Sequence, residues 1–389
     1  MRILLVTDAW HPQVNGVVRS LARTRDELRA LGHEVRVITP EHQATLPCPS
    51  YPEIRLTLRP KRAVAAALAG GSFDAVHIAT EGPLGLAARR ACMEADLRFT
   101  TSCHTRFPEY VRMRAPVPLS VSYGLLRRFH AAAARTLVRS ESQRLELAGR
   151  GFTNLEIWPG AVDTQLFRPV GKDALRLPRP ISMYVGRVAP EKNLEALLDL
   201  DLPGSKVIVG GGPALERYRR RYPQAHFLGY RHGEALVHAL SAADVFVFPS
   251  RTDTLGLVML EAMACGVPVA AFPVPGPADV VIDGGNGGLD NDLRAAVFRA
   301  LAVSGAACVE TAASYSWRRS AQRFLSHLIP ARCVTARPRR IKHPDAALPP
   351  EPSAFAGLRT AAGGNRRRPG AVQSARSGPV PNAEAIGEP

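Results

Sequence analysis

The 389-residue chain is 46% apolar and 22% charged, proportions of an ordinary globular protein, and it is too long for a single common core. Its formal net charge of +16 favours anionic company: phosphate-bearing substrates, an anionic membrane surface or nucleic acid. No run of eighteen apolar residues exists for a membrane-spanning helix, and Met1–Asp8 turns polar too early for a secretory signal.

In chain order, short apolar runs at Ile3–Thr7, His33–Thr39, Asp74–Ile78, Arg98–Ser102, Thr136–Arg139 and Leu155–Trp158 are predicted strands. Helical periodicity fills the intervals at Val17–Leu31, Arg62–Ala69, Leu84–Ala95 and Val121–Ala134. This alternation implies an α/β, doubly wound parallel sheet over residues 1–168, followed by a Pro-rich linker at 169–180. The pattern restarts over 181–314, with strands at Ile181–Val185, Lys206–Val209, His226–Leu228, Val245–Phe248 and Val267–Ala271. Helices are expected there at Leu194–Leu200, Ala214–Arg221, Gly233–Ala242 and Leu255–Ala264. A last helix, Trp317–Leu328, falls in 315–330. The tail, 331–389, holds ten Arg/Lys against four Asp/Glu, is rich in Pro, Ala and Gly, and is expected to be disordered. Cys48, Cys92, Cys103, Cys265, Cys308 and Cys333 include no C-x-x-C pair, so reduced thiols of a cytoplasmic protein are expected.

No G-x-G-x-x-G follows the first strand, and no P-loop occurs. The most informative stretch is Val245–Val269, an apolar strand, a polar turn and a helix ended by Gly266. In a parallel sheet such a turn lies at the carboxyl edge, where ligands bind. Asp253 and Glu261 flank the helix start, and Gly256, Leu257 and Val258 supply unsatisfied first-turn N–H groups. Amides for phosphate and carboxylates for hydroxyl pairs suit a nucleotide-sugar. The helix around Glu261 is apolar almost all round, which argues burial and hence a partner for the acid. Asp253 lies in a turn where acids are common, and spacing alone does not decide its role.

Three further groups lie at strand ends. Arg187 and Lys192, in Gly186–Asn193, can neutralise a diphosphate, or can be a solvated pair beside Glu191. Gly16, in the V-N-G-V turn at 14–17, permits close backbone approach to a ligand but also fits an ordinary βα turn. His104, in Cys103–Phe107, can hydrogen-bond a sugar hydroxyl or can be structural.

The segment F-P-S-R-T-D-T-L-G-L-V-M-L-E-A-M-A-C-G, with V-G-R-V-A-P-E-K-N-L and G-G-G-P, resembles the retaining glycosyltransferases of family 4, which have the GT-B fold. D-A-W-H-P-Q-V-N-G-V-V-R-S-L and H-T-R-F-P-E-Y resemble its branch of α-mannosyltransferases and glycolipid-forming glucosyl- or sulfoquinovosyltransferases. The resemblance spans about residues 1–330. It implies two Rossmann-like domains facing across a cleft, the first on the acceptor side, and a last helix that crosses back to the first domain. It implies that Glu261 holds the ribose, that Arg187 and Lys192 bind the donor diphosphate, and that Gly16 approaches that phosphate. It places His104 near the donor sugar, and Asp253 where the family usually carries a glutamate one methylene longer.

The expected reaction is transfer of a hexose of mannose or glucose type from a GDP- or UDP-linked donor, with the α configuration kept. No cofactor and no metal are expected, since Arg187 and Lys192 can replace a divalent ion. Arg55, Arg59, Lys61 and Arg62 before Ala63–Leu68, and Arg112, Arg114, Arg127 and Arg128 around an apolar helix at Val117–Leu126, suit an anionic membrane surface. The branch implies a lipid acceptor such as diacylglycerol or a phosphatidylinositol-like lipid, with the enzyme peripheral on the inner face of the cytoplasmic membrane. The alternatives are a nucleotide-sugar 2-epimerase of the same fold and a transferase acting on a soluble or polysaccharide acceptor. Phe355 is the only aromatic residue in the Arg-rich tail, so no nucleic-acid partner is expected.

Overall fold

The opening run Ile3-Leu4-Leu5-Val6 is apolar on both faces, as a strand inside a parallel sheet must be, and its four side chains are at most 1% exposed. It forms part of a six-stranded parallel sheet in the computed structural model, which describes residues 1–332 apart from 14, 49, 50 and 114. The strands are β1 (Arg2–Val6), β2 (Glu34–Ile38), β5 (Ala75–Ile78), β6 (Thr100–Ser102), β7 (Arg135–Val138) and β8 (Leu155–Ile157), in the order β2-β1-β5-β6-β7-β8. An antiparallel hairpin, β3 (Thr45–Cys48) and β4 (Tyr51–Thr57), is inserted beside the sheet. Helices α1 (Gly16–Ala30), α2 (Pro60–Ala69), α3 (Pro83–Glu94), α4 (Phe107–Arg112), α5 (Leu119–His130) and α6 (Glu141–Gly149) connect and cover these strands.

The second sheet is also six-stranded and parallel: β9 (Ile181–Val185), β10 (Ser205–Val209), β11 (His226–Gly229), β12 (Val245–Phe248), β13 (Val269–Ala271) and β14 (Gly287–Leu289), in the order β11-β10-β9-β12-β13-β14. Its helices are α7 (Glu195–Leu198), α8 (Leu215–Arg221), α9 (Glu234–Ala242), α10 (Leu257–Ala264), α11 (Pro277–Val280), α12 (Leu293–Leu301) and α13 (Gly305–Ala313). Apolar clusters cover both faces of this sheet, with Met183, Phe246 and Met259 in one and Tyr184, Val247 and Val297 in the other. In each half the chain runs outward from the first strand and then returns to its other side. The switch points therefore fall between β1 and β5 and between β9 and β12, and the crevice at such a point is where open parallel sheets bind ligands.

The expected Rossmann-like halves are present. Period-based reading passed over β3, β4, β14, α4, α6, α11, α12 and α13, most of them short or of mixed pattern. The helix expected from Val117 begins at Leu119, after Pro118. The stretch around 169–180 has no secondary structure, yet it is strapped down: Lys172 and Arg179 both pair with Asp244, at 2.8 and 2.6 Å. Then α14 (Trp317–His327) returns to the first half and packs on α1. Its buried residues Trp317, Ser320, Ala321, Phe324 and His327 follow helical spacing, and Phe324 joins Ile3, Leu5 and Trp158 in one core. Trp158 Nε1 donates to Ser320 Oγ at 3.1 Å. Among the described residues no single helix is long and apolar enough to cross a membrane. The tail from 333, Cys333 and Arg114 lie outside the described residues.

Candidate active site

The loops after β9 and β12 meet at the switch point of the second sheet. A 3-10 turn, Pro190–Lys192, ends in Asn193, whose φ of 53° lies in the left-handed region that asparagine tolerates. Asn193 Nδ2 donates to the Pro249 carbonyl at 3.0 Å, and Thr252 Oγ1 donates to the Glu191 carbonyl at 3.3 Å. These bonds seat Lys192 against Asp253, with Nζ 2.5 Å from Oδ1. Burial alone would lower the Lys192 ammonium, but Asp253 and the phenols of Tyr110 and Tyr184 outweigh it and hold the group above the ordinary lysine value. The second Asp253 oxygen, Oδ2, is buried and has no partner among the described residues. Arg187 is half-buried in the same loop, and its carbonyl accepts from the Tyr184 hydroxyl at 2.9 Å.

Gly256 caps α10 with φ 80°, and a β-carbon there would strike the Phe248 ring and Met259. Leu257 and Val258 follow as the first two helical residues, so their N–H groups lie among those that helix geometry leaves without intrahelical acceptors. One turn further on, Glu261 is 4% exposed. Its partner is Arg19 of α1, so an arginine of the first half neutralises a buried acid of the second.

Other contacts close the cleft. Asn15 Oδ1 caps α1 by accepting from Val18 N at 3.0 Å, which places Gly16 against Leu257, 3.7 Å from where a β-carbon would stand. The His104 carbonyl accepts from Thr254 Oγ1 at 2.8 Å. Asp279 of α11 accepts from Ser142 N of α6 at 2.9 Å. Tyr110 of α4 hydrogen-bonds Thr252, and burial holds its phenol above the ordinary value.

His104 is buried at the end of β6. Its Nε2 meets Ser102 Oγ at 2.8 Å, its ring stands edge-on to Trp158 at 5.5 Å, and no described residue takes Nδ1. Burial first, then Arg139, His77 and His130, push its pKa well below 6.5, so the imidazole is neutral near pH 7. A neutral ring can exchange hydrogen bonds with a hydroxyl without adding a charge.

The fold thus brings the segments that bear Lys192, Asp253, Gly256, Leu257, Val258 and Glu261 against those of Gly16 and His104, through the Thr254–His104, Gly16–Leu257 and Arg19–Glu261 contacts, with Arg187 in the loop after β9. Sequence reading missed Arg19, Tyr110 and Thr254. Arg19 and Tyr110 lie inside the runs V-N-G-V-V-R-S-L and H-T-R-F-P-E-Y, but their partners are far away along the chain. No metal set was expected, yet the fold brings Glu81, Cys103 and His130 to within 4.8 Å of one another. Both His130 nitrogens are already engaged, by Thr101 Oγ1 at 2.8 Å and Glu81 at 3.1 Å.

Residues 14–166 match the family described as Glycosyltransferase Family 4, and residues 179–302 match Glycosyl transferases group 1. A GDP-mannose-dependent alpha-mannosyltransferase of Mycobacterium tuberculosis is 31% identical over 307 residues, covering 72% of this chain and 81% of that protein. The Sulfoquinovosyl transferase SQD2 of Arabidopsis thaliana is 31% identical over 284 residues, 65% of this chain and 56% of its own length. Sucrose-phosphate synthase from Thermosynechococcus elongatus superposes with a TM-score of 0.67 at 21% identity, over 84% of this chain and 97% of the other. With both halves matched in order on two facing parallel sheets, the chain belongs to glycosyltransferase family 4 and is a hexosyltransferase of the GT-B fold.

Proposed function

We propose that this enzyme moves a hexose of mannose or glucose type from a nucleoside diphosphate sugar, GDP-mannose first among GDP- and UDP-linked candidates, to a membrane lipid, leaving an α-glycoside. The observation that carries the donor site is the pairing of Lys192 with Asp253 while Asp253 Oδ2 stays buried without a partner among the described residues. An acceptor atom of that kind calls for a hydroxyl donor, which a sugar supplies. Glu261 takes the ribose hydroxyls once Arg19 yields, and Lys192, Arg187 and the first amides of α10 take the diphosphate. As the glycosidic bond breaks, negative charge grows on the leaving diphosphate and positive charge on the sugar, so fixed cations and N–H dipoles stabilise the transition state more than the ground state. They do so without a metal ion. Guanine as the base is favoured by the name of the mycobacterial relative, which also names an alpha-mannosyl product, and the reaction is retaining if the donor is α-linked.

A lipid acceptor is supported by Phe107, Met113, Val121 and Leu125 of the α4–α5 region, which are 58%, 49%, 51% and 66% exposed beside the exposed Arg112, Arg127 and Arg128. Apolar side chains rimmed by arginines suit the interface of an anionic leaflet, on the inner face of the cytoplasmic membrane. The test is transfer of radiolabel from GDP-mannose or UDP-glucose to vesicles containing diacylglycerol or phosphatidylinositol. The expected result is an α-linked glycolipid from the wild type and little from Lys192→Ala or Glu261→Ala. Near wild-type rates for both variants would reject the site.

A further inference from the structure

Arg139 follows β7 at the cleft edge of the first sheet and is only 6% exposed. Its backbone is held, with the N–H donating to Gln143 Oε1 at 2.7 Å, and its guanidinium carbon lies 4.0 Å from the centre of the Trp158 ring. Among the described residues no carboxylate pairs with it and no acceptor meets its side-chain N–H groups, and Nη1 is fully buried in that condition. Burial draws its pKa down to about 9. The other charged groups buried near the cleft are matched: Glu261 has Arg19, and Asp8 accepts from Thr80, Leu84 N and Gly85 N.

An arginine carries five N–H donors in one plane, and burying them without acceptors is costly. The Trp158 face engages the flat side of the cation and leaves the in-plane donors open. What satisfies that edge is a planar or tetrahedral oxyanion taken two-pronged, a carboxylate or a phosphate. Trp158 is shared, because the same ring meets His104. The vacant donors therefore lie beside His104, the first-half residue that the proposed reading sets near the donor sugar. We propose that Arg139 binds an acidic group on the acceptor, so that the enzyme selects an anionic acceptor over a neutral one. This rests on the transferase reading given above.

Titration calorimetry of glycerol 3-phosphate, with glycerol as neutral control, into the full chain saturated with GDP or UDP tests the site without turnover. Wild type is expected to bind the phosphate, Arg139→Gln to weaken it roughly ten- to hundredfold, and Arg139→Lys, which keeps the charge but not the fork, to fall between. In transfer assays Arg139→Gln is expected to raise the apparent KM for phosphatidylinositol vesicles by a similar factor relative to the KM for diacylglycerol vesicles, so that the preference between the two acceptors falls. Equal phosphate binding by wild type and Arg139→Gln, or equal loss on both acceptors, overturns the proposal. A rise in donor KM alone moves the acid to the transferred sugar and also overturns it. Should Arg139→Gln not fold, the Lys variant carries the same comparison. Phosphate binding that needs Arg139 in a protein without any transfer would uphold the anion site and defeat the reaction instead.

Discussion

In the second half of the molecule Lys192 and Asp253 face each other at 2.5 Å, and Glu261 is met by Arg19 from across the cleft. In the first half two buried histidines are kept neutral: His77 and His104 share Ser102 between them, at 3.0 and 2.8 Å, and both lie below the ordinary histidine pKa. The C-terminal wall holds its charge as pairs, which on the proposed reading are exchanged for those of a diphosphate and a ribose. On the proposed reading these neutral rings stand near the place where the sugar becomes cationic, and Arg139 beside them is a buried charge that no described carboxylate pairs. The difference is what a transferase needs, with electrostatic pull on the leaving group and a quiet, hydrogen-bonding surface around the sugar.

The sharpest way to break this comparison is Lys192→Ala, which removes the fixed cation and strands Asp253. Turnover is expected to fall roughly 10²–10³-fold, with the donor KM moving less, because the charge is needed most in the transition state. A fall confined to KM would mean that Lys192 only binds.

A second test addresses the neutral wall. The His77 pKa is held at about 3 in the folded chain, by burial first and then by Arg139 and His130, against 6.5 ordinarily. The unfolded chain therefore binds more protons between these values, so stability is lost as pH falls below 6.5 and is fully present above it. The loss from His77 is about 2 kcal/mol between pH 6.5 and 5. Denaturant unfolding across that range should show it, and His77→Gln should flatten the slope; an unchanged slope would show that the ring already titrates normally.

The smallest effect sharpens the paired wall. Arg19→Ala leaves Glu261 buried without its cation and should cost about 1–2 kcal/mol of stability. Yet it should enlarge the thermal shift given by a nucleoside diphosphate, since the ribose no longer competes with the guanidinium. A smaller shift would make Arg19 part of the nucleotide site rather than its stand-in.

Much of this was legible along the chain. The apolar runs Ile3–Val6 and Val245–Phe248 marked interior strands because a parallel sheet buries both faces, and the apolar surround of Glu261 required burial and a partner. The hairpin β3–β4 and helices α12 and α13 were not legible, because their patterns are short or mixed and their places are set by what they pack against.

Residue order determined the alternation of strand and helix, the glycine at 256 and the spacing of Lys192, Asp253 and Glu261 within their own segments, because each depends on backbone geometry over a few residues. Only the folded chain decided that Arg19 answers Glu261 across 242 positions, that Thr254 reaches the His104 carbonyl, and that Arg139 has a tryptophan but no acid among the described residues. Those matches depend on distances through space and on how much water is excluded, and neither quantity is written in local order.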